Sequence, residues 1–399
     1  MKTVTDIDIS GKIVWVRVDF NVPLDKDRNV VDDGRILAVL PTLQHVLAQN
    51  ARLVIASHLG RPKGKVVPEF SLSPVARRLG ALLKKDVKMA PDCIGAEVRA
   101  LVDRMGPGDV LLLENLRFHP EEEKNDENFG KALAAQCDVY VNDAFAVSHR
   151  VNASVVSITR YAPVSAAGLL LKKELDYIGK SMADPVRPLV AVVGGAKISS
   201  KLTVLENIMQ HVDKILIGGA MANTFLKYNG CEVGKSMIEE DLVETAGRIL
   251  KQAAERNIKF YIPVDAVVAD RFEADAAHRR VPVQEIGRDW MVMDIGPATA
   301  ALYGEALQDA GTAVWNGPMG VFEMAPFSEG TRAVAHAIAG LQGTSIVGGG
   351  DTGSAVHQAG VTEKITYIST GGGAFLCMLE GKPLPAVAAL ESAEPATGA

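Results

Sequence analysis

The sequence of 399 residues contains few cysteines and few aromatic residues, and it has no long run of one charge. Its four cysteines are far apart and form no CxxC pair, which argues against a zinc site or a disulfide framework and favours scattered core thiols. They are Cys93, Cys137, Cys231 and Cys377. The formal net charge of −6 is dispersed, so neither nucleic-acid nor membrane-surface binding is indicated.

The first ten residues, MKTVTDIDIS, lack the apolar core of a signal peptide, and no later apolar run is long enough to span a membrane. These two absences predict a cytoplasmic protein without a membrane partner. The sequence also lacks an obvious association motif, which favours a monomer.

Apolar sequence is abundant, since 48% of the residues are hydrophobic. Short apolar runs such as IVWVRVD, RLVIASH, PLVAVVGG, MVMDIG and TSIVGGG alternate with amphipathic stretches of helical length. Such runs are typical of parallel sheets with helices on both faces, so we expect an α/β fold.

A helical pattern within residues 168–189 ends at two prolines. It predicts a hinge helix between one domain at 1–170 and a second at 171–380.

The stretch WVRVDFNVP predicts a buried strand that begins near Ile13 and is stopped by Pro23. Arg17, Asp19 and Asn21 occupy alternate positions and would share one face of that strand. In open α/β sheets, ligands bind outside the carboxyl ends of the strands, which is where these polar residues would lie. The alternative is a half-exposed antiparallel strand with a polar outer face.

The first 170 residues are the better place for an anion site, because they hold 22 Lys+Arg against 21 Asp+Glu, whereas the remainder holds 20 against 27. Polar clusters follow the successive apolar runs of this part. Their cationic candidates are Arg35, His58, Arg61, Arg117 and Arg150. Guanidinium groups bind carboxylate and phosphate oxygens in pairs, so these residues predict a site for a small, doubly anionic molecule. Ordinary surface arginines are the alternative.

The second part contains turns suited to phosphate groups. VVGGAKISSK reads as a strand, two glycines and a helix start whose face would carry Lys197 and Lys201. SIVGGGDTGS contains G-x-G-x-x-G, but the next apolar run ends in Ser369 and Thr370 rather than in an acidic residue. The dinucleotide interpretation is therefore disfavoured, and Asp351 is better explained as a Mg²⁺ ligand.

Two further turns complete the candidate set. STGGGAFLCMLE places Gly371, Gly372 and Gly373 at a helix start, where stacked N–H groups would face a negative charge. WNGPMGVFE supplies Asn316 and Glu323, and the carboxylate of Glu323 would accept hydrogen bonds from a ribose. Both residues are equally compatible with capping or turn roles.

Taken in order, RVDFNVP, HLGRP, ENLRFHPEEE, DAF…HR, GGAKISSK, NGPMGVFE, GGGDT and TGGGA resemble the phosphoglycerate kinase family. These motifs extend from residue 17 to residue 374. The resemblance implies two Rossmann-like parallel-sheet domains with helices on both faces, joined by a hinge helix and separated by a cleft. It also implies that a segment at about 381–399 returns to the first domain.

The resemblance implies that the first domain binds 3-phosphoglycerate or 1,3-bisphosphoglycerate. The residues at the matching positions are Asp19, Phe20, Asn21, Arg35, His58, Leu59, Gly60, Arg61, Arg117 and Arg150. The second domain would bind ADP or ATP with Mg²⁺, which Asp351 would hold. Its matching residues are Gly194, Gly195, Lys197, Lys201, Gly218, Asn316, Glu323, Gly349, Gly350, Asp351 and Thr352.

The implied reaction is a reversible, in-line phosphoryl transfer after domain closure, which yields 3-phosphoglycerate and ATP. Arg35, Lys201 and the glycines at 371–373 would contact the transferred group. Arg17 would be a charge partner that fixes the strand end, with a direct ligand role as the alternative.

One departure from the family pattern is DAFAVSHR, where the family more often has Gly-Thr-Ala in place of Ala146-Val147-Ser148. A rival interpretation is a two-domain regulatory protein that binds both ligands without chemistry.

Overall fold

A computed structural model describes residues 1–393, and its contacts divide the chain between two compact units. Of the described residues, unit 1 comprises Met1–Asp176 and residues 383–393, and unit 2 comprises Tyr177–Lys382. The sequence predicted that the second domain begins at residue 171 and ends near residue 380, whereas the contacts place its limits at Tyr177 and Lys382. Residues 394–399 of the segment expected to return to the first domain lie outside the described residues.

Unit 1 is built on a six-stranded parallel sheet. Its strands are β1 (Ile13–Arg17), β2 (Arg52–Ala56), β3 (Val87–Met89), β4 (Val110–Leu112), β5 (Val139–Asn142) and β6 (Ser165–Ala167). They lie in the order β3-β4-β2-β1-β5-β6, and every pairing is parallel. All five residues of β1 are buried, which requires that both faces of the sheet be covered.

The helices of this part of the chain supply that cover. They are α1 (Gly34–Ala48), α2 (Ser73–Leu83), α3 (Ala96–Asp103), α4 (Pro120–Glu123), α5 (Glu127–Ala134) and α6 (Leu169–Ala183). In α1, Ile36, Val39 and Leu43 recur at helical spacing and are fully or almost fully buried against the strands. Helix α6 contains the boundary between the two units.

The antiparallel alternative for β1 was wrong, because β1 pairs in parallel with both β2 and β5. The strand is also shorter than predicted and ends at Arg17. After one further ladder bond, from Val18 N to Ala56 O, the backbone N–H of Phe20 donates to the Ser57 hydroxyl. Asp19 and Asn21 therefore lie in the loop that follows β1.

Unit 2 contains a second six-stranded parallel sheet. Its strands are β7 (Leu189–Val193), β8 (Lys214–Ile217), β9 (Lys259–Tyr261), β13 (Thr312–Asn316), β14 (Thr344–Gly348) and β15 (Tyr367–Ile368). They lie in the order β15-β14-β13-β7-β8-β9. Its helices are α7 (Leu202–Ile208), α8 (Met221–Tyr228), α9 (Val243–Glu255), α10 (Pro297–Leu307), α11 (Glu329–Ala339), α12 (Gly350–Gln358) and α13 (Gly372–Leu379). The predicted α/β class with two parallel sheets is confirmed.

A small antiparallel sheet in unit 2 was missed. It consists of β10 (Asp265–Ala269), β11 (His278–Pro282) and β12 (Met291–Ile295), in the order β11-β10-β12. The run MVMDIG was interpreted as part of a parallel sheet but forms β12. The predicted run KFYIPVD contains β9 and the first residue of β10. In β11 only Val281 is buried, so this edge strand lacks the apolar run that identified the others.

The last helix of the described chain, α14 (Pro385–Ser392), belongs to unit 1, where Ala386 packs with Val147 and Val155. Among residues 1–393, no helix is both long and apolar enough to cross a membrane.

Candidate active site

The loops after β1 and β2, with the start of α1, bring five of the predicted substrate-binding residues close together. Arg35 Nη1 donates to Asp19 Oδ2 at 2.5 Å, and Asp19 Oδ1 lies 3.9 Å from His58 Nε2. The Asn21 side-chain oxygen accepts a hydrogen bond of 2.8 Å from the backbone N–H of Gly60. The carboxyl ends of two neighbouring parallel strands and the start of α1 thus meet at one point.

His58 is a buried, neutral side chain beside this network. Its Nδ1 lies 3.2 Å from Arg17 Nη2, and since a guanidinium only donates, Nδ1 accepts and the ring proton belongs on Nε2. Burial lowers the pKa of His58 well below its ordinary value. Neighbouring positive charges lower this pKa further, and they belong to Arg17, Arg117, Arg35 and Arg150. The site therefore concentrates positive charge and offers one neutral N–H.

Arg117 is anchored by contacts with its own turn and with the loop that contains Gly60. It lies in a 3₁₀ turn, Leu116–Phe118, which is capped because the Asn115 side-chain oxygen accepts from Arg117 N at 3.0 Å. Its Nη1 donates to Gly60 O at 2.9 Å, and its Nε lies 3.4 Å from Glu123 Oε1. Burial lowers the pKa of Arg117 from its ordinary value.

The remaining predicted residues of unit 1 differ in exposure. The side chains of Phe20 and Leu59 are buried in the core, so they would offer a substrate only backbone groups. Arg61 and Arg150 are exposed, as a direct phosphate contact would require. The unusual Ala-Val-Ser segment forms an ordered turn in which the Ser148 hydroxyl donates to Ala144 O at 3.0 Å.

Arg17 is a buried charge partner. Its Nη2 lies 3.9 Å from Glu122 Oε1, with both side chains inaccessible to solvent, and its Nε donates to the Ser154 hydroxyl at 2.8 Å. That hydroxyl in turn donates to Glu122 Oε1 at 2.6 Å. Sequence reasoning missed Glu122 and Ser154, because neither the acidic run PEEEK nor a lone serine indicates a buried ion pair.

In unit 2, the predicted nucleotide residues lie in turns at the carboxyl ends of adjacent parallel strands. The glycines at 194 and 195 follow β7, Gly218 follows β8, Asn316 ends β13, residues 349–352 follow β14, and the glycines at 371–373 lie just beyond β15. Glu323 is exposed in the turn after β13. This edge is where open α/β sheets bind ligands, and the turns present backbone N–H groups there.

Two of these turns, after β13 and after β14, are joined by short hydrogen bonds. Asn316 Nδ2 donates to Gly348 O at 2.6 Å, and Gly317 N donates to the Thr352 hydroxyl at 2.8 Å. Asn316 Oδ1 is buried and has no hydrogen-bond partner among the described residues. It therefore remains available as an acceptor at the start of α12.

The turn at Gly349 also meets the start of α13. Gly349 has a φ of +101°, a conformation that favours glycine, and a Cβ there would approach Asn316 Nδ2 to 2.9 Å. A Cβ on Gly372 would lie 3.1 Å from the Gly349 Cα. At Gly350, in contrast, a Cβ would meet no atom within 4 Å, so the backbone there is open to an incoming group.

Lys201 lies directly before α7 and is half-buried. Burial lowers its pKa to about 8, while the negative charges of Asp351 and Glu380 act in the opposite direction. Sequence reasoning missed Glu380, because its distance from Lys201 in the chain gives no local signal. Burial disfavours the positive charge of this lysine and nearby carboxylates favour it, so a phosphate in place of bulk water would stabilise the ammonium group.

The prediction that Lys197 and Lys201 share a helix face was wrong. Helix α7 begins at Leu202, and residues 197–201 form a turn in which the Ser200 hydroxyl donates to Lys197 O at 2.8 Å. Ser199 bonds Glu239 through its backbone N–H at 3.0 Å. Serine side chains that satisfy nearby backbone groups compete with helix formation, which explains the later start.

The residues at this edge suit a magnesium ion. Asp351 is exposed in the first turn of α12, beside the open backbone of Gly350. Mg²⁺ is commonly bound by one or two carboxylates while substrate phosphates and water complete its shell. A single exposed carboxylate next to a turn with open backbone is compatible with such a donor set.

Comparisons with known proteins agree with one another. A family model described as phosphoglycerate kinase matches residues 4–382. A relative named phosphoglycerate kinase from Desulfosudis oleivorans is 56% identical over 396 residues, which is 99% of this chain and 100% of the relative. One of the same name from Geotalea uraniireducens is 58% identical over 384 residues, or 96% of each chain. The structure of phosphoglycerate kinase from Coxiella burnetii superposes with a TM-score of 0.89 at 42% identity, covering 98% of both chains.

Proposed function

The chain belongs to the phosphoglycerate kinase family of phosphotransferases, and from this membership we propose a magnesium-dependent, reversible transfer between 1,3-bisphosphoglycerate and ADP. The products are 3-phosphoglycerate and ATP. The observation that carries this proposal is Lys201, half-buried and close to Asp351 at the glycine-rich edge of unit 2. A cation in that setting is suited to a phosphoryl group in transfer.

Unit 1 is proposed to bind the phosphoglycerate. Asp19 and Asn21 would contact its glycerate end, where a carboxylate and an amide match hydroxyl groups. The Nε2–H of His58 and the guanidinium groups of Arg61, Arg117 and Arg150 would hold its phosphate. Arg117 and Arg150 both lower the pKa of His58, which supports a shared positive field at this point.

Unit 2 is proposed to bind the nucleotide. The turns at residues 194–195, 218 and 349–352 would contact the phosphates through backbone N–H groups, with Lys197 as a further cation. Glu323 would accept hydrogen bonds from the ribose, and the free side-chain oxygen of Asn316 would accept one from the nucleotide. Asp351 would hold Mg²⁺, which neutralises phosphate charge when bound.

The transfer step is proposed to be direct and in-line. The acceptor is already anionic, either a carboxylate or a phosphate oxygen, so no side chain has to remove a proton. Arg35, Lys201 and the N–H groups of residues 371–373 would stabilise charge on the moving phosphoryl group. Because different units are proposed to bind the two substrates, closure of the two domains and exclusion of water would precede transfer.

A coupled assay tests the function. Purified protein is given MgATP and 3-phosphoglycerate, and a reducing dehydrogenase consumes the acyl phosphate. We expect turnover that requires both substrates and Mg²⁺, and that falls by at least about a hundredfold in Lys201→Ala. Absence of turnover, with both ligands still bound in calorimetry, would support the regulatory interpretation instead.

Stereochemistry tests the step itself. ATP with a chiral γ-phosphoryl group should transfer that group with inversion at phosphorus if transfer is direct. Retention would indicate a phosphorylated enzyme and contradict the in-line proposal.

A cytoplasmic location and a monomeric state remain predictions, which cell fractionation and light scattering of the purified protein would test.

A further inference from the structure

Away from the proposed substrate sites, unit 1 brings three different metal-binding atom types together. One carboxylate oxygen of Asp92, the sulfur of Cys93 and one ring nitrogen of His119 all lie within 4.8 Å of one another. Asp92 and Cys93 follow β3, whereas His119 follows the 3₁₀ turn Leu116–Phe118. The cluster therefore joins two segments that are separated by 25 residues in the sequence.

The carboxylate of Asp92 is the centre of this cluster. Its Oδ1 lies 2.6 Å from His119 Nε2 and accepts a hydrogen bond of 2.6 Å from the backbone N–H of Cys93. Both neighbours are therefore already oriented around one oxygen atom. A cation at this point would replace the proton that Asp92 and His119 now share.

Surrounding residues contact the backbone of Cys93 and the ring of His119. The carbonyl of Cys93 accepts a hydrogen bond of 2.9 Å from Gln136 Nε2, and the ring of His119 packs against Phe129 at a centroid distance of 5.3 Å. Outer contacts of this kind fix ligand orientation in metal sites, and they reduce the conformational freedom lost on binding.

Solvent reaches the cluster from one side. The side chain of Asp92 is 44% exposed and that of His119 is 26% exposed, while Cys93 is fully buried behind them. An ion could enter past the carboxylate and the imidazole, meet the sulfur at the inner end and keep one coordination position for water. That is the open arrangement of a site with three protein ligands.

We propose that Asp92, Cys93 and His119 form a binding site for one divalent cation of the zinc class. Sulfur, imidazole nitrogen and carboxylate oxygen are the ligand set of Zn²⁺ and similar borderline ions, whereas Mg²⁺ takes oxygen ligands. Tetrahedral bonds to such an ion place ligand atoms roughly 3.5 Å apart. Asp92 Oδ1 and His119 Nε2, now 2.6 Å apart, would separate by about 1 Å, and the more distant ligand atoms would approach by a similar amount. Binding releases the thiol proton of Cys93. The site goes beyond the kinase reaction and does not depend on it.

Cobalt(II) is the probe for this site, because a thiolate ligand gives it an intense charge-transfer band. In the unmodified protein without nucleotide, we expect one equivalent of Co²⁺ to produce the band and Zn²⁺ to remove it by displacement. Cys93→Ser should abolish the band, and His119→Gln should weaken Co²⁺ binding by at least about tenfold. The matched control is Cys137→Ser, which alters another buried thiol of the same unit and should keep the band.

A second measurement does not depend on the folding of any variant. Crystals of the unmodified protein soaked in Zn²⁺ should show an anomalous-scattering peak within bonding distance of the Cys93 sulfur. The proposal is overturned if no peak appears there, if the unmodified protein gives no charge-transfer band, or if Cys93→Ser retains the band.

Discussion

The guanidinium of Arg35 and the carboxylate of Asp19 form a hydrogen-bonded ion pair, with 2.5 Å between Nη1 and Oδ2. Arg35 is 39% exposed, whereas Asp19 is 10% exposed, so the arginine is the accessible partner. The pair holds the guanidinium of Arg35 at the exposed edge of the cluster formed with Asp19 and His58. In the proposed reaction, Arg35 exchanges this carboxylate for the oxygens of the transferred group.

Replacing Arg35 by lysine tests that exchange. Arg35→Lys keeps the positive charge but removes the planar fork that binds two oxygens at once, so we expect kcat to fall by at least about a hundredfold. The dissociation constant for MgADP should not change, because the nucleotide is proposed to bind unit 2. Steady-state kinetics and calorimetry measure the two quantities.

The matched control is Arg78→Lys, since Arg78 forms an exposed ion pair with Asp33 in the same unit. It should show unaltered kinetics. If Arg35→Lys and Arg78→Lys behave alike, the guanidinium of Arg35 does not contact the reacting group.

The lowered pKa of Lys201 predicts a limit to activity at alkaline pH. Below its pKa of about 8 the side chain is a charged ammonium, and above that value it becomes neutral and loses its attraction for phosphate. We therefore expect kcat/KM for the nucleotide to fall as pH rises through about 8. The measurement is a pH profile at saturating 3-phosphoglycerate.

Lys201→Arg provides the control, because its guanidinium stays charged throughout this range. The variant should have lower activity overall, yet its profile should lack the alkaline fall. If the same fall persists in Lys201→Arg, another group causes it.

The open space at Gly350 predicts a selective loss of nucleotide binding. A Cβ at this position would meet no protein atom within 4 Å, so Gly350→Ala should fold normally. The methyl group would occupy the space through which phosphate approaches the backbone, and KM for MgADP should rise by about tenfold, equivalent to about 1.4 kcal/mol. Gly304→Ala is the matched control, because its Cβ also meets nothing and it lies within α10. Equal KM values for the two variants would contradict the proposed phosphate path.

The buried pair of Arg17 and Glu122 predicts a large effect on stability. Arg17→Met should lower the free energy of unfolding by about 3–5 kcal/mol, because it leaves the carboxylate of Glu122 buried without its cation. The double variant Arg17→Met/Glu122→Leu should recover much of that loss. Urea unfolding monitored by circular dichroism provides the measurement.

An exposed ion pair is the control for this experiment. Arg160 lies 2.6 Å from Glu127, and Arg160→Met should lower stability by no more than about 1 kcal/mol. A single Arg17→Met variant as stable as Arg160→Met would show that Glu122 finds another partner or takes up a proton.

Much of the fold could be predicted because the signal is local. The run IVWVRVD is apolar on both faces, which a strand needs only when helices cover both sides of its sheet, and β1 is such a strand. Glycines and polar residues directly after these runs place the candidate turns at the strand ends. The family could be recognised for the same reason, since its motifs are short and contiguous.

Other features were decided by contacts between distant residues. The partner of Arg17 is Glu122, far along the chain, and the sequence near either residue gives no sign of the other. Strand β12 has the composition of a parallel strand but pairs antiparallel with β10. Lys197 has helical spacing to Lys201, yet serine hydrogen bonds delay the start of α7.

The sequence by itself therefore determined the α/β class, the positions of the candidate turns at the strand ends and the family, because each depends on short patterns of polarity and glycine. Only the tertiary structure decided which charges are paired, which strand joins which sheet, and that Cys93 lies beside His119. These pairings depend on the free energy of burying and satisfying groups that meet only after the chain has folded.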